Sequence, residues 1–288
     1  MPGSSRGWVG VGSLENAITQ HYGSGDLLAR IDAGLKFSGV DPARLTFEDL
    51  APVDEFHIGG RKATQHALSR MPLNALDHVL DIGCGLGGAA RYLASELCCR
   101  VTGIDLTPEF VHVARILTAR LGLSASLDFK TANALAMPFE DKTFDAATSF
   151  HVAMNIADRD RLYAEVARIL RPGAMLCIYD VMKTGPGDIV YPAPWAETAE
   201  ISHVISPLET QEYLRQAGFE IIETENRRDF ALQFFRRRIA GTENDGPPPF
   251  GIHLLLGETW REKFETTLQN TEAGCIAPVQ IIARRTSS

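Results

Sequence analysis

The decisive stretch of this sequence is Val79-Leu80-Asp81-Ile82-Gly83-Cys84-Gly85-Leu86-Gly87-Gly88, an apolar run that ends in closely spaced glycines. The run has the length and composition of a buried strand. Glycines directly after a strand permit a tight turn and let a ligand approach the backbone, and the helix that follows offers free N–H groups at its start. We therefore predict a strand at 78–82, a ligand-binding turn and a helix at 88–97.

Strand and helix patterns alternate along the remaining chain. Further strands are predicted at 101–104, 127–131, 144–149, 174–181, 219–225 and 278–284, and further helices at 108–121, 160–170 and 207–217. This alternation predicts a mostly parallel sheet with helices on both faces. With right-handed crossovers, the fold class is α/β, a Rossmann-like doubly wound seven-stranded sheet.

The segments outside this alternation suggest how the chain is organised. We expect an N-terminal helical lid at 1–72, a ligand-binding core at 73–183, and the remainder of the core at 184–288. Two insertions, 184–205 and 228–274, interrupt the alternation. Insertions on the carboxyl side of such a sheet tend to cover the ligand, so both are predicted to cover the substrate.

Composition narrows the classes of partner. The chain has 288 residues and a net charge of −8, which disfavours binding to nucleic acid. No apolar window is long enough for a membrane span, and residues 1–13 do not resemble a secretory signal. The five cysteines lack paired spacing, which argues against disulfides and a metal site. A cytoplasmic enzyme of small molecules, with a homodimer left open, fits these features.

Two ligands compete for the glycine turn. Spacing at 83, 85 and 88 fits the pyrophosphate of NAD or FAD, whereas spacing at 83, 85 and 87 fits S-adenosyl-L-methionine (SAM). Asp81 favours SAM, because a carboxylate there suits an ammonium group and disfavours a pyrophosphate. Asp105 ends the second strand and fits either ligand, since a carboxylate there accepts hydrogen bonds from ribose hydroxyls. Leu170-Arg171-Pro172-Gly173 also argues against a nicotinamide oxidoreductase.

Polar residues at the ends of the next strands complete the predicted site. Asn133-Ala134 follows the third strand, where the amide would read an adenine edge. The fourth strand ends at Ser149-Phe150-His151, above the expected position of the reactive atom.

The segment 77–181 resembles a class I SAM-dependent methyltransferase. The motifs are DIGCGLGG (81–88), GIDLTPEF (103–110), TANALAMPFEDKTFDAATS (131–149) and ARILRPGAMLCIYDV (167–181). The resemblance implies an antiparallel seventh strand, SAM as cofactor and S-adenosyl-L-homocysteine (SAH) as product. The cofactor-binding residues are then Tyr22, Gly83, Cys84, Gly85, Asp105, Leu106, Asn133, Ala134 and Ser149.

More narrowly, the chain is similar to the glycine/sarcosine/dimethylglycine and phosphoethanolamine N-methyltransferases. The similarity rests on Gln20-His21-Tyr22, on 54–60 (DEFHIGG), on Met154-Asn155-Ile156 with Asp158, and on 191–196 (YPAPWA). The phosphoethanolamine enzymes place a catalytic histidine where this chain has Asn155. The resemblance implies N-methylation of a small amine such as sarcosine or dimethylglycine. It suggests Tyr22 and His151 as catalytic residues, and His57, Asn155, Trp195 and His203 as substrate-binding residues.

The acceptor atom stays open at this stage. An aliphatic amine with a pKa of about 10.4 must lose a proton before it attacks, and a phenol or carbon nucleophile needs a base as well. His151 and Tyr22 suit either case. The alternatives are an O- or C-methyltransferase of a natural-product or quinone-like ring, and a non-catalytic SAM-binding regulator. Enzymes that methylate adenine or protein glutamine carry the motif [ND]PP[YF] after the fourth strand. This chain has Ser149-Phe150-His151-Val152 there, so nucleobase and glutamine targets are disfavoured.

Overall fold

A seven-stranded sheet forms the centre of the computed structural model, which describes residues 26–41, 44–241 and 250–287. Within these residues the strands are β1 His78–Ile82, β2 Arg100–Asp105, β3 Leu127–Thr131, β4 Phe144–Phe150, β5 Leu170–Lys183, β6 Phe219–Asn226 and β7 Ile276–Arg285. Their order is β3-β2-β1-β4-β5-β7-β6. Strands β1 to β5 pair in parallel, and β7 is antiparallel to both β5 and β6. The predicted α/β Rossmann-like sheet with its antiparallel seventh strand is confirmed.

Helices pack on both faces and above the sheet. They are α1 Leu27–Phe37, α2 Phe47–Asp54, α3 Arg61–Leu68, α4 Gly88–Glu96, α5 Pro108–Arg120, α6 Arg159–Ile169, α7 Pro207–Gln216, α8 Arg228–Ala240, α9 His253–Leu256 and α10 Trp260–Glu272. No helix in these parts of the chain is both long and apolar enough to cross a bilayer.

The period-two alternation of strand side chains builds the two layers. In β1, Val79 packs in the cluster that contains α3, α4 and α5, whereas Leu80 packs in the cluster that contains α6 and α7. Because successive residues of a strand point to opposite faces, one apolar run serves both layers. Fully burying an aliphatic side chain contributes about 1.5–3 kcal/mol, so this double coverage stabilises the centre of the sheet.

The first residues of the helices are capped in different ways. Ser206 and Glu209 form a capping box at the start of α7. Asp26 and Thr107 precede α1 and α5, and neither side chain caps its helix. The Asp26 carboxylate pairs instead with Arg30 at 2.9 Å.

Strand β5 is longer than expected. It begins at Leu170, directly after α6, and not at Ala174. Leu170 pairs with Phe144, and an irregularity between Phe144 and Ala146 absorbs the extra residues. A bulge therefore lets the strand run through Pro172-Gly173, which sequence reasoning had interpreted as a break.

Three segments outside the layers pack together above the carboxyl ends of the strands. Ile58, Trp195 and Phe235 come from the α2–α3 connection, the 184–205 insertion and α8, and they share one buried cluster with Met154. The Tyr179 hydroxyl of β5 donates to the carbonyl of Ile58 at 3.0 Å. These contacts fix the segments over the edge where β1, β2 and β4 end.

Candidate active site

The glycine turn after β1 brings a helix start and an open cavity together. Gly85 has φ +52, and nothing lies within 4 Å of the position that a Cβ would take there. Gly88 differs, because a Cβ there would lie 2.4 Å from the backbone oxygen of Asp54. Gly85 thus keeps the turn open to a ligand, whereas Gly88 permits close approach of the segment that follows α2.

A cavity of about 430 Å³ lies at this turn, where β1, β2 and β4 end, and we call it the first cavity. Its wall includes most of the residues predicted for the site: Gly83, Cys84, Gly85, Asp105, Leu106, Asn133, Ala134, His151, His57, Asn155 and Trp195. Cavities of roughly 300–1,000 Å³ are typical of sites for small ligands. The carboxyl ends of the strands therefore form a candidate ligand site, at the edge where ligands bind in sheets of this kind.

Asp105 binds the backbone of the glycine turn. Its Oδ2 accepts from the N–H of Gly85 at 2.9 Å, and its Oδ1 accepts from the N–H of Thr107 at 2.8 Å. Burial raises the pKa of this carboxyl above its ordinary value, and the backbone donors oppose that rise. The side chain of Thr107 and the backbone of Leu106 also interact with this carboxyl, which lies in the wall of the first cavity.

Asp81 presents a buried oxygen without a hydrogen-bond partner. Its Oδ1 accepts from the hydroxyl of Thr148 at 2.8 Å, whereas its Oδ2 has none among the described residues. Burial raises the pKa of Asp81 to about 7. Because a buried unpartnered carboxylate oxygen is costly, this position suits a cationic group of a ligand.

Asn133 and Cys84 have local roles that limit their chemistry. Oδ1 of Asn133 accepts from the N–H of Leu135 at 2.9 Å, so the side chain stabilises its own turn as well as facing the cavity. Burial raises the pKa of the Cys84 thiol well above its ordinary value. Since the thiolate is the nucleophilic form, Cys84 is unsuited to covalent catalysis.

A second cavity of about 410 Å³ adjoins the first. The two share Glu55, Phe56, His57, His151, Pro194 and Trp195 as wall residues. The rest of the second wall is rich in apolar and aromatic side chains: Ile58, Phe230, Phe234, Phe235, Ile252 and Phe264. Arginines 237 and 238 of α8 also belong to it. The two cavities therefore meet at a junction of six residues that includes His57, His151 and Trp195.

His57 is held as a neutral ring with a defined tautomer. Its Nε2 lies 3.2 Å from the carbonyl oxygen of Gly60 and 3.1 Å from Oγ1 of Thr64. The Thr64 hydroxyl donates its proton to Glu55 at 2.6 Å, so both neighbours of Nε2 act as acceptors. Nε2 therefore carries the proton and Nδ1 the lone pair. Burial lowers the pKa of His57 to about 4, which keeps the ring neutral.

His151 is half-buried at the same junction and has a strained backbone. It has φ +56, a left-handed conformation in which histidine is among the more tolerated residues. Its backbone is held by the carbonyl of Tyr179, and the next two N–H groups donate to Asp180. Nε2 has no partner among the described residues. Burial and the neighbouring His57 lower the pKa of His151 well below its ordinary value. Strain of this kind concentrates at functional sites.

Two of the predicted residues that the structure describes, Ser149 and His203, are absent from both cavity walls. Ser149 lies on the face of β4 opposite to Phe150, and it pairs with Ile82 and Ile178 inside the α6–α7 layer. His203 belongs to neither wall, and its backbone bonds to Met154 and Arg159. Tyr22 lies outside the described residues.

Asp54 is a polar residue of the first wall to which sequence reasoning gave no role of its own beyond its place in the 54–60 motif. Its side chain is fully buried and pairs with Arg91 of α4 at 2.7 Å. The motif does not reveal this pairing, because the two residues lie far apart in the chain. Among the described residues, no group of three or more His, Cys, Asp or Glu side chains is arranged to hold a metal ion.

Comparison with known proteins identifies the central segment. Residues 80–178 match the model of a methyltransferase domain family. An O-methyltransferase of Pyrenophora dematioidea is 30% identical over 201 residues, which are 69% of this chain and 73% of that protein. The O-methyltransferase cnsE of Penicillium expansum is 32% identical over 184 residues, 64% of this chain and 66% of that protein, just under two thirds of its length.

Solved structures with this fold differ in chemistry. Phosphoethanolamine N-methyltransferase 2 of Haemonchus contortus, in complex with SAM, matches with a TM-score of 0.69 and 22% identity, over 90% of this chain and 60% of that chain. The (4+2)-cyclase SpnF matches with a TM-score of 0.69 and 22% identity, over 95% of this chain and 96% of that chain. At this identity the likeness shows the fold, and the chemistry must be argued from the site.

Proposed function

The chain belongs to the class I SAM-dependent methyltransferases, and we propose that it methylates an apolar, ring-containing small molecule bound in the second cavity. The observation that carries this proposal is the aromatic wall of that cavity, which adjoins the first cavity at His57, His151 and Trp195. Its volume of about 410 Å³ suits a drug-sized molecule better than an amine as small as sarcosine.

The residues of the first cavity fit SAM. The unpartnered Oδ2 of Asp81 is suited to the ammonium of its amino-acid part. Asp105, beside Gly85 in the cavity wall, is suited to accept from the ribose hydroxyls. The apolar residues Leu106, Phe110 and Leu135 offer a surface for adenine. When bound, SAM supplies an activated methyl group on a sulfonium.

The covering segments orient the acceptor and exclude water. Trp195 is buried, and its indole N–H donates to Ser202 at 2.9 Å, so its ring is fixed at the junction. Lys263 of α10 pairs with Glu197 at 2.5 Å, which holds the same insertion in place. Fixing an acceptor in a reactive orientation contributes about 7–11 kcal/mol to a displacement reaction. A rigid aromatic cover is suited to that task.

His151 is the proposed base. A phenolic hydroxyl has a pKa of about 10 and needs a proton acceptor at neutral pH. Nε2 of His151 is buried without a hydrogen-bond partner at the junction, and its lowered pKa keeps the ring neutral. His57 uses its Nε2–H within the protein and leaves Nδ1 as an acceptor. We assign His151 to proton removal and His57 to orientation of the acceptor.

N-methylation of a glycine-derived amine is the second candidate. One feature favours it: Arg237 and Arg238 line the second cavity, where they would pair with the carboxylate of such a substrate. The O-methyltransferase names of the relatives favour an oxygen acceptor over an amine instead. A non-catalytic SAM-binding regulator is the third reading, and it predicts cofactor binding without transfer.

Label transfer from methyl-labelled SAM distinguishes these three readings. The panel contains phenols, catechols and hydroquinones of increasing size, together with glycine, sarcosine and dimethylglycine. We expect label in ring compounds only. Label in the amines alone would support the second candidate, and SAH binding without transfer to any acceptor would support the regulator.

A pair of phenylalanine variants tests the second cavity. Phe234→Ala should lower kcat/KM for the ring compound about tenfold or more, because a large part of the apolar contact is lost, while SAH affinity is unchanged. Phe37→Ala is the matched control, since Phe37 is 82% exposed on α1. Equal effects of the two variants would reject the assignment of the second cavity.

A further inference from the structure

Among the buried carboxylates that line the first cavity, two have one oxygen without a hydrogen-bond partner among the described residues. These are Oδ2 of Asp81 in β1 and Oδ1 of Asp54 at the end of α2. We propose that Asp54 is a second carboxylate for the ammonium group of SAM, so that α2 contributes directly to the cofactor site. The inference rests on the proposed function only in taking SAM as the ligand.

Arg91 fixes the orientation of Asp54. Its guanidinium donates to Oδ2 of Asp54 at 2.7 Å, to the carbonyl of Leu86 at 2.5 Å and to the hydroxyl of Thr118 at 3.0 Å. The side chains of Arg91 and Asp54 are both fully buried. Three partners on separate elements hold the guanidinium in place, so Asp54 Oδ2 is occupied and Oδ1 is left over.

The glycine turn is shaped to receive this carboxylate. The position of a Cβ on Gly88 would be 2.4 Å from the backbone oxygen of Asp54 and 2.9 Å from its Oδ1. Only glycine at the start of α4 lets the end of α2 approach so closely. Oδ1 of Asp54 therefore lies next to the turn that follows Asp81, and both residues line one cavity.

An ammonium is the ligand that suits this pair. Burial raises the pKa values of both carboxyl groups, so a cation between them relieves an unfavourable arrangement. A primary ammonium has three N–H donors and can donate to two carboxylates at once. Mg²⁺ or Ca²⁺ requires more oxygen ligands than the two available, and no third metal-binding side chain joins them among the described residues.

Ligands that differ only in the amino group test the inference. The probes are SAH and its deamino analogue, measured by calorimetry with the full chain. Asp54→Asn should weaken SAH binding roughly tenfold, because a charge-assisted hydrogen bond becomes a neutral one, and leave the deamino analogue within about twofold. Asp81→Asn should act alike. Asp128→Asn, at an exposed position of β3, is the matched control and should change neither affinity.

A purely structural role of Asp54 predicts a different result. If Asp54 only holds Arg91, Asp54→Asn weakens both ligands equally, and this outcome would overturn the proposal. Because Asp54→Asn leaves the buried Arg91 charge without its counterion, the charge-balanced Asp54→Asn/Arg91→Gln variant is measured as well. It should discriminate between the ligands in the same way; equal loss for both, or no loss for either, overturns the proposal.

The same measurements separate this inference from the proposed function. They use cofactor analogues only and need no acceptor substrate. Wild-type protein that binds SAH with Asp54→Asn unchanged would reject the role of Asp54 and leave methyl transfer intact. Wild-type protein that binds neither SAH nor SAM would reject both.

Discussion

The backbone N–H of Gly85 donates a 2.9 Å hydrogen bond to Oδ2 of Asp105. This bond joins the turn after β1 to the end of β2, the two places where the cofactor's amino-acid part and ribose are expected. Thr107, at the start of α5, donates to the other oxygen. One carboxylate therefore organises two backbone segments at the wall of the first cavity.

Two replacements of Asp105 should reduce cofactor affinity to different extents. Asp105→Ala removes the acceptor of the ribose hydroxyls and of two backbone donors, and we expect a loss of about 1.5–3 kcal/mol in SAH binding for each charged hydrogen bond to the ligand. Asp105→Asn keeps one acceptor oxygen, so its SAH affinity should fall less than that of Asp105→Ala. Calorimetry with SAH measures both, and NAD should bind neither variant nor wild type. Tight NAD binding to the wild type would contradict the SAM assignment.

The glycines of the turn should respond differently to an added methyl group. Gly88→Ala should lower the melting temperature strongly, because its Cβ would meet the backbone of Asp54 at 2.4 Å. Gly85→Ala meets nothing within 4 Å, so only the strain of its positive φ, of order 1 kcal/mol, affects stability. Its Cβ has open space around it at the cavity wall, so SAH affinity should fall more than stability does. Thermal melts with and without SAH compare the two, and equal destabilisation would contradict this division of roles.

The sequence predicts well what local patterns encode. Apolar runs and turn residues that are adjacent in the chain predict the glycine turn and the seven strands. They also predict the polar residues Asp105 and Asn133, at the end of β2 and just after β3. The bulge in β5 escaped prediction, because Pro172-Gly173 is an ordinary break unless the pairing of Leu170 with Phe144 is known. Such pairing is a property of the sheet rather than of the segment.

Site residues were harder to predict where their role depends on the direction of the side chain or on contacts between distant parts of the chain. Ser149 and Phe150 are neighbours in a central strand whose two faces are both buried, so alternation alone does not say which of them faces the ligand. Asp54 meets Gly88 and Arg91 only because α2 docks on the start of α4. The resemblance suggested His203 as a substrate-binding residue, yet His203 belongs to neither cavity wall.

Asp81 should make the protein less stable at higher pH in the absence of ligand. Its folded pKa of about 7 lies above the ordinary value of 3.8, so the folded state binds more protons than the unfolded state between these values. The free energy of unfolding therefore falls as pH rises through this window, and the loss is complete above about pH 7. Asp81→Asn removes the cost and should be more stable than wild type at pH 8, by up to roughly 4 kcal/mol.

Thermal melts from pH 5 to pH 8 measure this difference. The advantage of Asp81→Asn should shrink towards pH 5, where wild-type Asp81 is already protonated, and the variant should bind SAH more weakly at pH 8. Asp128→Asn supplies the baseline, because Asp128 is exposed. A pH-independent difference would show that Asp81 ionises without cost and would remove the basis of the argument.

His151 should control turnover and its pH dependence without affecting cofactor binding. Its pKa lies well below the ordinary value of 6.5 because the ring is buried beside His57, so the neutral form persists into mildly acidic solution. The acid limb of kcat/KM should therefore lie below pH 6.5. His151→Gln removes the base and should lower kcat by about 10²–10⁴-fold, with SAH affinity within twofold. The residual activity should lose that acid limb and rise with pH as the acceptor itself ionises.

His112→Gln, on the exposed face of α5, is the control and should change neither kcat nor the pH profile. His57→Gln should raise KM more than it lowers kcat, since His57 orients the acceptor. If His57→Gln abolishes the limb and His151→Gln keeps it, the two roles are reversed, and Nδ1 of His57 is the base.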